Sequence, residues 1–168
     1  MSFLRIAGLA ALVGGILRLV NIVTTSLPQN ALAAIYFVTD ALLLTGVAGL
    51  WFSRRAAMGG AGTLGLAIFV VGILVVRASA FGIGNYPLGA MIALTGLAVY
   101  SLDALVKRYM AIWAPSCWLT ALPPAVTVGF LPSGHLSLVG LSAVLFGAGF
   151  MLAGLDLLRD SRTALAGA

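Results

Sequence analysis

The sequence predicts an all-α integral membrane protein: a six-transmembrane-helix bundle built as three consecutive helical hairpins, with both termini in the cytoplasm. Hydrophobic residues make up 62% of the 168 residues, and charged residues make up only 8%. An ordinary soluble domain carries roughly 25% charged residues, so lipid is the expected solvent for most of this surface. The basic residues also recur at a regular interval, with long apolar stretches between them.

Basic residues mark the ends of the three predicted hairpins and recur about every 53 residues. These marks are Arg54-Arg55, Lys107-Arg108, and Arg159 with Arg162. They divide a single transmembrane domain, 1–168, into hairpins at about 1–55, 56–108 and 109–162 and a short C-terminal tail, 163–168. Short cytoplasmic loops carry an excess of Lys and Arg. An even number of crossings, with all of these cations on the inner side, is therefore expected.

The hairpins resemble one another weakly in sequence. Leu102-Asp103-x-Leu105, near the end of the second hairpin, recurs as Leu155-Asp156-x-Leu158 in the third. Two interpretations stay open, a chance match in a chain rich in Ala, Leu and Gly and a true triplication. Triplication predicts parallel repeats related by an axis along the membrane normal, an arrangement known in transporters.

Five of the six spans are predicted from apolar runs close to the roughly 20 residues that a bilayer requires. These runs are 3–23, 31–52, 61–80, 86–106 and 135–158. A polar turn containing a proline, 24–30, separates the first two runs. A glycine-rich turn, 81–85, separates the third and fourth, because glycine both ends a helix and allows the chain to reverse.

The fifth span, 110–130, is long enough and uncharged, but it contains three prolines. Pro115, Pro123 and Pro124 are expected to kink or break a helix there, since proline lacks the backbone donor. A re-entrant segment, which would leave five spans, is the alternative. Charge distribution favours six spans, because five would move Arg159 and Arg162 to the outer side.

Small residues at regular spacing predict the surfaces through which the helices pack. A seven-residue repeat keeps one stripe of a helix against its neighbour, and small side chains on that stripe let two backbones approach closely in lipid. The predicted packing residues are Ala7, Ala11, Gly15, Gly65, Gly72, Gly89, Gly96, Gly140, Gly147 and Gly154. Two interpretations stay open, contacts within one chain and a surface for a homo-oligomer or a larger membrane complex.

Three ionisable residues inside the predicted spans are the candidates for a ligand or ion site. Asp40 lies about 14 Å below the outer end of its helix, at 1.5 Å per residue. Arg18 and Arg77 lie about 24 Å along their own helices, so all three residues fall in the outer half. An ionisable residue within a span is a functional hypothesis by default.

Two interpretations of Arg18, Asp40 and Arg77 stay open. In the first, Asp40 forms a structural ion pair while an arginine side chain extends towards the lipid headgroups. In the second, two cations and one anion leave a net positive site, which suits an anionic or carboxylate-bearing solute that enters from outside.

The remaining polar residues offer little for catalysis or metal binding. Asp103 with Lys107 and Asp156 with Arg159 have the spacing of ion pairs along one helix surface. His135 is the only histidine; it is expected to cap the last helix and is a weak candidate for an axial cofactor ligand. No catalytic residue, metal site or cofactor is predicted, and the scattered cations do not suit nucleic acid.

The sequence therefore predicts a small polytopic protein of a membrane, expected to be a bacterial inner membrane, without catalytic machinery. The first expectation is an accessory or scaffold subunit, because small-residue surfaces are plentiful and catalytic groups are scarce. The alternative is a small-solute transporter or a membrane-embedded solute-binding subunit that uses Arg18, Asp40 and Arg77.

Overall fold

A computed structural model of the chain describes residues 2–23, 28–130 and 136–166. These residues form six α-helices and no strand, as the composition predicts. The helices are α1 (Phe3–Val23), α2 (Gln29–Arg54), α3 (Gly60–Ser79), α4 (Tyr86–Lys107), α5 (Trp113–Phe130) and α6 (Leu136–Ala166). Five of them, all except α5, are long and apolar enough to cross a membrane, which confirms the helical membrane bundle.

Helix α5 is a single helix through Pro123 and Pro124, so the prediction that the prolines could break it is wrong. The helix runs antiparallel to α6: the Ala111 N–H donates to Asp156 Oδ2 at 3.2 Å, and Ser142 Oγ donates to the Ala121 carbonyl at 2.9 Å. It therefore passes along α6 and does not turn back, as a re-entrant segment would. Packing against neighbours offsets the two missing donors, since tertiary contacts supply most of a helix's stability.

The helices form a closed ring in chain order. Each helix packs against its neighbours in the sequence, and α1 also packs against α6. Helices α1, α3 and α5 begin at one end of the ring, where α2, α4 and α6 finish. We call this the basic end, since it carries Arg5, Arg54, Arg55, Lys107, Arg108, Arg159 and Arg162. The other end, where α3 turns into α4 through residues 80–85, is the turn end.

Two helix boundaries differ from the predicted ones by three residues or more. Helix α5 begins at Trp113, whereas the apolar run begins at 110. Helix α6 continues past the predicted end at Leu158 to Ala166, because Ala, Leu and Arg are good helix formers. At this end Arg54 and Asp160 form an ion pair at 2.5 Å, which ties α6 to α2.

Glycines bring α3 and α4 into direct backbone contact. A Cβ added to Gly65 would lie 2.5 Å from the Tyr100 nitrogen, and one added to Gly89 would lie 2.6 Å from the Val76 nitrogen. Added Cβ atoms on Gly72 and Gly96 would collide with the backbones of Ala93 and Phe69, respectively. All four predicted packing glycines of this hairpin therefore pack within the chain.

Helix α1 uses small residues on two faces. Towards α6, an added Cβ on Gly15 would lie 2.6 Å from the Gly147 carbonyl oxygen, and one on Gly154 would lie 2.6 Å from the Gly8 carbonyl oxygen. Towards α2, Ala11 lies against Gly46 and Ala7 lies against Gly49. Gly140 differs from the other predicted packing residues, because an added Cβ there would meet no described atom within 4 Å.

Aromatic side chains fill the centre of the ring towards the basic end. The Phe69 ring of α3 lies 5.6 Å from the Phe150 ring of α6, and Phe150 lies 5.1 Å from Trp118 of α5. Tyr100 of α4 lies 6.0 Å from Trp118. All four side chains are fully buried. This aromatic core closes the ring centre in one half and leaves the other half open.

The second and third hairpins are each closed at the basic end by an aspartate, in the same way. Asp103 accepts a hydrogen bond from the Gly59 N–H, just before α3, at 3.0 Å. Asp156 accepts one from the Ala111 N–H, just before α5. The matching contacts agree with the repeated Leu-Asp-x-Leu motif. The first hairpin has Leu50 at the corresponding position, so the match covers two hairpins.

The predicted charge pairs at this end have different outcomes. Lys107 Nζ lies 3.2 Å from Asp103 Oδ1, which confirms that pair. For Asp156 and Arg159 the prediction is wrong, since the Asp156 carboxylate accepts from Ala111. Tyr109 is buried and donates to Asp103 Oδ2 at 3.2 Å. Burial, the Tyr100 hydroxyl and the Asp103 carboxylate all raise the pKa of Tyr109, so its phenol remains a neutral donor.

Candidate ligand-binding site

The half of the ring towards the turn end contains a cavity of about 440 Å³. All six helices contribute to its wall. The cavity reaches the surface at the first turn of α4, where Tyr86 and Pro87 are exposed. The Asn85 side chain fixes this turn by accepting from the Leu88 N–H at 3.2 Å. The principal lining residues are Arg18, Asp40, Ile73, Met91, Ser142 and Phe146.

Phe146 forms the floor of the cavity and links it to the aromatic core. Its ring lies 5.1 Å from that of Phe150 and 6.2 Å from that of Phe69. The cavity is therefore closed towards the basic end by aromatic side chains. The rest of the wall is mainly aliphatic, so charge is confined to two side chains.

Asp40 is the acidic residue of the cavity wall, and it is only 5% exposed. Arg77 Nε of α3 contacts Asp40 Oδ2 of α2, so the pair bridges two helices that otherwise approach each other little. Next to Asp40, Asn21 Nδ2 of α1 donates to Thr39 Oγ1 at 3.4 Å. Thr39 in turn donates to the Ile35 carbonyl at 2.8 Å. These bonds fix α1 and α2 at the level of the carboxylate.

Arg18 of α1 lines the same cavity as Asp40. Its Cζ lies 5.7 Å from the centroid of the Phe146 ring, a distance at which a cation is attracted to an aromatic face. Arg18 makes no ion pair with any residue that the structure describes, and its buried Nε has no hydrogen-bond partner there. Its side chain lies over the cavity floor and does not extend to the headgroups.

The structure thus brings together the three residues that the sequence singles out. Asp40 and Arg77 neutralise each other, and Arg18 remains as a positive charge beside them. Charges separated by apolar walls interact more strongly than in water, because the effective dielectric constant is lower. The site can therefore attract an anion to Arg18 while its aliphatic wall accommodates an apolar body.

Sequence reasoning missed Ser142 and Trp118. Ser142 lines the cavity and donates to the Ala121 carbonyl, and Trp118 packs on Gly149 below the cavity floor. Neither shows a local signal, because a serine or a tryptophan in an apolar helix has many ordinary roles. His135 lies outside the described residues. Within them, no group of three or more His, Cys, Asp or Glu side chains could hold a metal ion.

Comparison of the chain with protein-family models, curated proteins and solved structures finds no match. The features that bear on function are therefore the cavity, its two charged wall residues and the ring of helices that encloses them.

Proposed function

We propose that the protein binds, and helps to move across the membrane, a small amphiphilic molecule with a carboxylate or similar anionic head. The observation that carries this proposal is Arg18, a cation without an acidic partner among the described residues, on the wall of a cavity that all six helices line. The cavity would hold the apolar body of the ligand, and Arg18 would pair with its head.

Size and surface chemistry support a small ligand. Binding pockets for small molecules typically measure about 300–1,000 Å³ and combine apolar walls with a few placed polar groups. The cavity measures about 440 Å³, and Arg18, Asp40 and Ser142 are its main polar wall residues. A strongly polar solute would leave its hydroxyl or amide groups without partners on this wall, which is unfavourable.

The positive charge of Arg18 supports a ligand with an anionic head. Arg18 is half-buried, and its Nε is buried without a hydrogen-bond partner among the described residues, so the cation carries part of the desolvation penalty of a buried charge. Asp40 attracts Arg18 electrostatically, but its carboxylate contacts Arg77 and forms no ion pair with Arg18, so it offsets this penalty only in part. A ligand carboxylate could accept two parallel hydrogen bonds from the Arg18 guanidinium, a geometry that arginine favours. Binding would then relieve an unfavourable feature of the empty site.

The scaffold hypothesis receives less support from the packing. Nine of the ten predicted packing residues contact other helices of the same chain, and only Gly140 does not meet a described atom. Small-residue surfaces are therefore mostly used to close the ring. An accessory subunit remains a prediction that co-purification with a partner would test.

Orientation is part of the proposal. Seven Lys and Arg side chains gather at the basic end, and an excess of these residues is typical of the cytoplasmic side. The cavity opens near the opposite end, so its ligand would arrive from the outer side. A bacterial inner membrane suits this arrangement and remains an expectation.

Ligand-dependent thermal stability tests the proposal. Straight-chain carboxylates from butanoate to dodecanoate, and the matching alcohols, would be added to purified protein in nanodiscs. Because a ligand that binds the folded state stabilises it, we expect some carboxylates to raise the Tm of the wild type more than the alcohols do. Arg18→Gln should abolish that difference, whereas Arg5→Gln, a matched change at the basic end, should keep it. No carboxylate effect, or the same effect in Arg18→Gln, would refute the proposal.

A further inference from the structure

A second hollow lies on the lipid-facing side of the bundle, between α2 and α3. It measures about 450 Å³ and shares no lining residue with the central cavity. We call it the α2/α3 groove; its walls are Leu44, Val47, Ala48, Trp51 and Phe52 of α2 and Thr63, Leu66, Ala67 and Val70 of α3. The wall is almost entirely apolar, and the groove lies in the half of the bundle nearer the basic end.

The position of the groove within the membrane indicates what fills it. Both bordering helices are long and apolar enough to span, so the groove faces hydrocarbon. From Leu44 to Phe52 it extends for about 12 Å along α2, at 1.5 Å per residue. Water would find few hydrogen-bond partners on such a wall. A flexible hydrocarbon chain fits the shape and the chemistry of this space.

The basic end of the groove provides a free cation at headgroup level. Arg55 is exposed, and its Cζ lies 5.9 Å from the centroid of the Trp51 ring, which forms part of the groove wall. Arg55 makes no ion pair with any described residue, whereas its neighbour Arg54 pairs with Asp160. Trp51 is the kind of residue that lies at membrane interfaces. Arg55 therefore stands where the phosphate of a lipid in the groove would lie.

We propose that the α2/α3 groove binds one acyl chain of an anionic phospholipid, whose phosphate and headgroup charge pair with Arg55. The chain itself provides little selectivity, because bulk lipid tails are as apolar as the groove. Selectivity comes from the charge on the headgroup, since one Arg near an anionic membrane surface changes binding about fivefold. This site is independent of the proposed carboxylate site, and either proposal can fail alone.

Native mass spectrometry of the detergent-solubilised protein tests this proposal. The protein would be titrated with phosphatidylglycerol and phosphatidylcholine of identical acyl chains, and retained lipid would be counted. We expect the wild type to retain about five times more phosphatidylglycerol. Arg55→Gln should remove the preference, while Arg162→Gln, which removes one exposed cation from the same end of α6, should preserve it.

A second pair of variants tests whether the lipid occupies the groove. Ala67→Phe places a ring in the groove from α3 and should lower retention of both lipids. Ala34→Phe adds the same ring to an exposed position of α2 outside the groove and should have no effect. Ala48→Phe, from the other wall, replaces Ala67→Phe if that variant does not fold.

Three results would overturn the proposal. Equal retention of the two lipids by the wild type would remove the basis for headgroup selectivity. If Arg55→Gln and Arg162→Gln reduced the preference for phosphatidylglycerol equally, the preference would come from the overall positive charge of the basic end and not from Arg55. Unchanged retention in a folded groove-filling variant would place the lipid elsewhere.

Discussion

The contact between α3 and α4 and the contact between α2 and α3 are built in opposite ways. In the first, Gly65, Gly72, Gly89 and Gly96 bring two backbones together along the length of the hairpin. In the second, the helices stand apart, the Asp40–Arg77 pair bridges them in one half, and the α2/α3 groove separates them in the other. Close packing leaves no room for a ligand. The looser contact leaves space for the groove.

The difference follows from what drives helix association in lipid. The hydrophobic effect does not distinguish a neighbouring helix from a lipid tail, so van der Waals packing and polar contacts decide which helices stay together. Helix α3 meets α4 through backbone packing and meets α2 through one buried charge pair. The contact between α3 and α4 should therefore be destabilised by any added side-chain volume. The stability of the contact between α2 and α3 should depend on the charges of Asp40 and Arg77.

The largest effect is expected from filling the glycine contact. In Gly96→Leu, the new side chain would collide with the Phe69 backbone, and overpacking that forces the backbone to move costs about 1–3 kcal/mol and occasionally more. We expect a large fall in Tm or a failure to fold. Gly140→Leu, an identical change at an open position of α6, should leave the Tm nearly unchanged. Equal effects of the two variants would contradict the described packing.

A smaller effect is expected from breaking the charge pair between α2 and α3. Asp40→Asn leaves Arg77 without its partner, and removal of one member of a buried pair costs about 3–5 kcal/mol. The Arg77 side chain is 23% exposed, so solvent should reduce the loss to about 1–2 kcal/mol. Unfolding in graded SDS would measure it.

A double variant distinguishes the loss of the Asp40–Arg77 interaction from a non-specific loss of stability. Adding Arg77→Gln to Asp40→Asn removes both charges, so it should recover part of the lost stability, because contacting residues are energetically coupled. As a comparison, Asp160→Asn breaks a pair at the basic end whose aspartate side chain is 38% exposed. It should cost no more than about 1 kcal/mol. Strictly additive losses for Asp40 and Arg77 would show that the two side chains do not act as a pair.

Local features of the sequence predict the hairpins and the level of the charged residues. Apolar length and basic ends determine where a helix can span, and 1.5 Å per residue places Arg18, Asp40 and Arg77 at similar depth. Arg18 and Asp40 line one cavity and Arg77 contacts Asp40, an arrangement that follows from the shared depth and from the ring of helices. The sequence does not distinguish a structural ion pair from a ligand site. The structure has both features, because Asp40 pairs with Arg77 while Arg18 forms no ion pair with a described residue.

Features that depend on neighbouring helices could not be predicted. Gly140 and Gly147 share the same spacing on α6, but only Gly147 lies at the crossing with α1. Asp156 has an arginine at pairing distance along its helix and instead accepts from Ala111. In both cases a contact from another part of the chain decides the outcome, and sequence spacing on a single helix does not contain that information.

Anomalous diffraction from crystals grown with a bromine-terminated alkanoate would show whether the cavity binds a carboxylate at Arg18. The bromine reports the position of the ligand's apolar end, and electron density reports its head. We expect a bromine peak inside the cavity, with the carboxylate within hydrogen-bonding distance of the Arg18 guanidinium and the Asp40–Arg77 pair intact. Bromine peaks confined to the lipid-facing surface, with an empty cavity at saturating ligand, would contradict it.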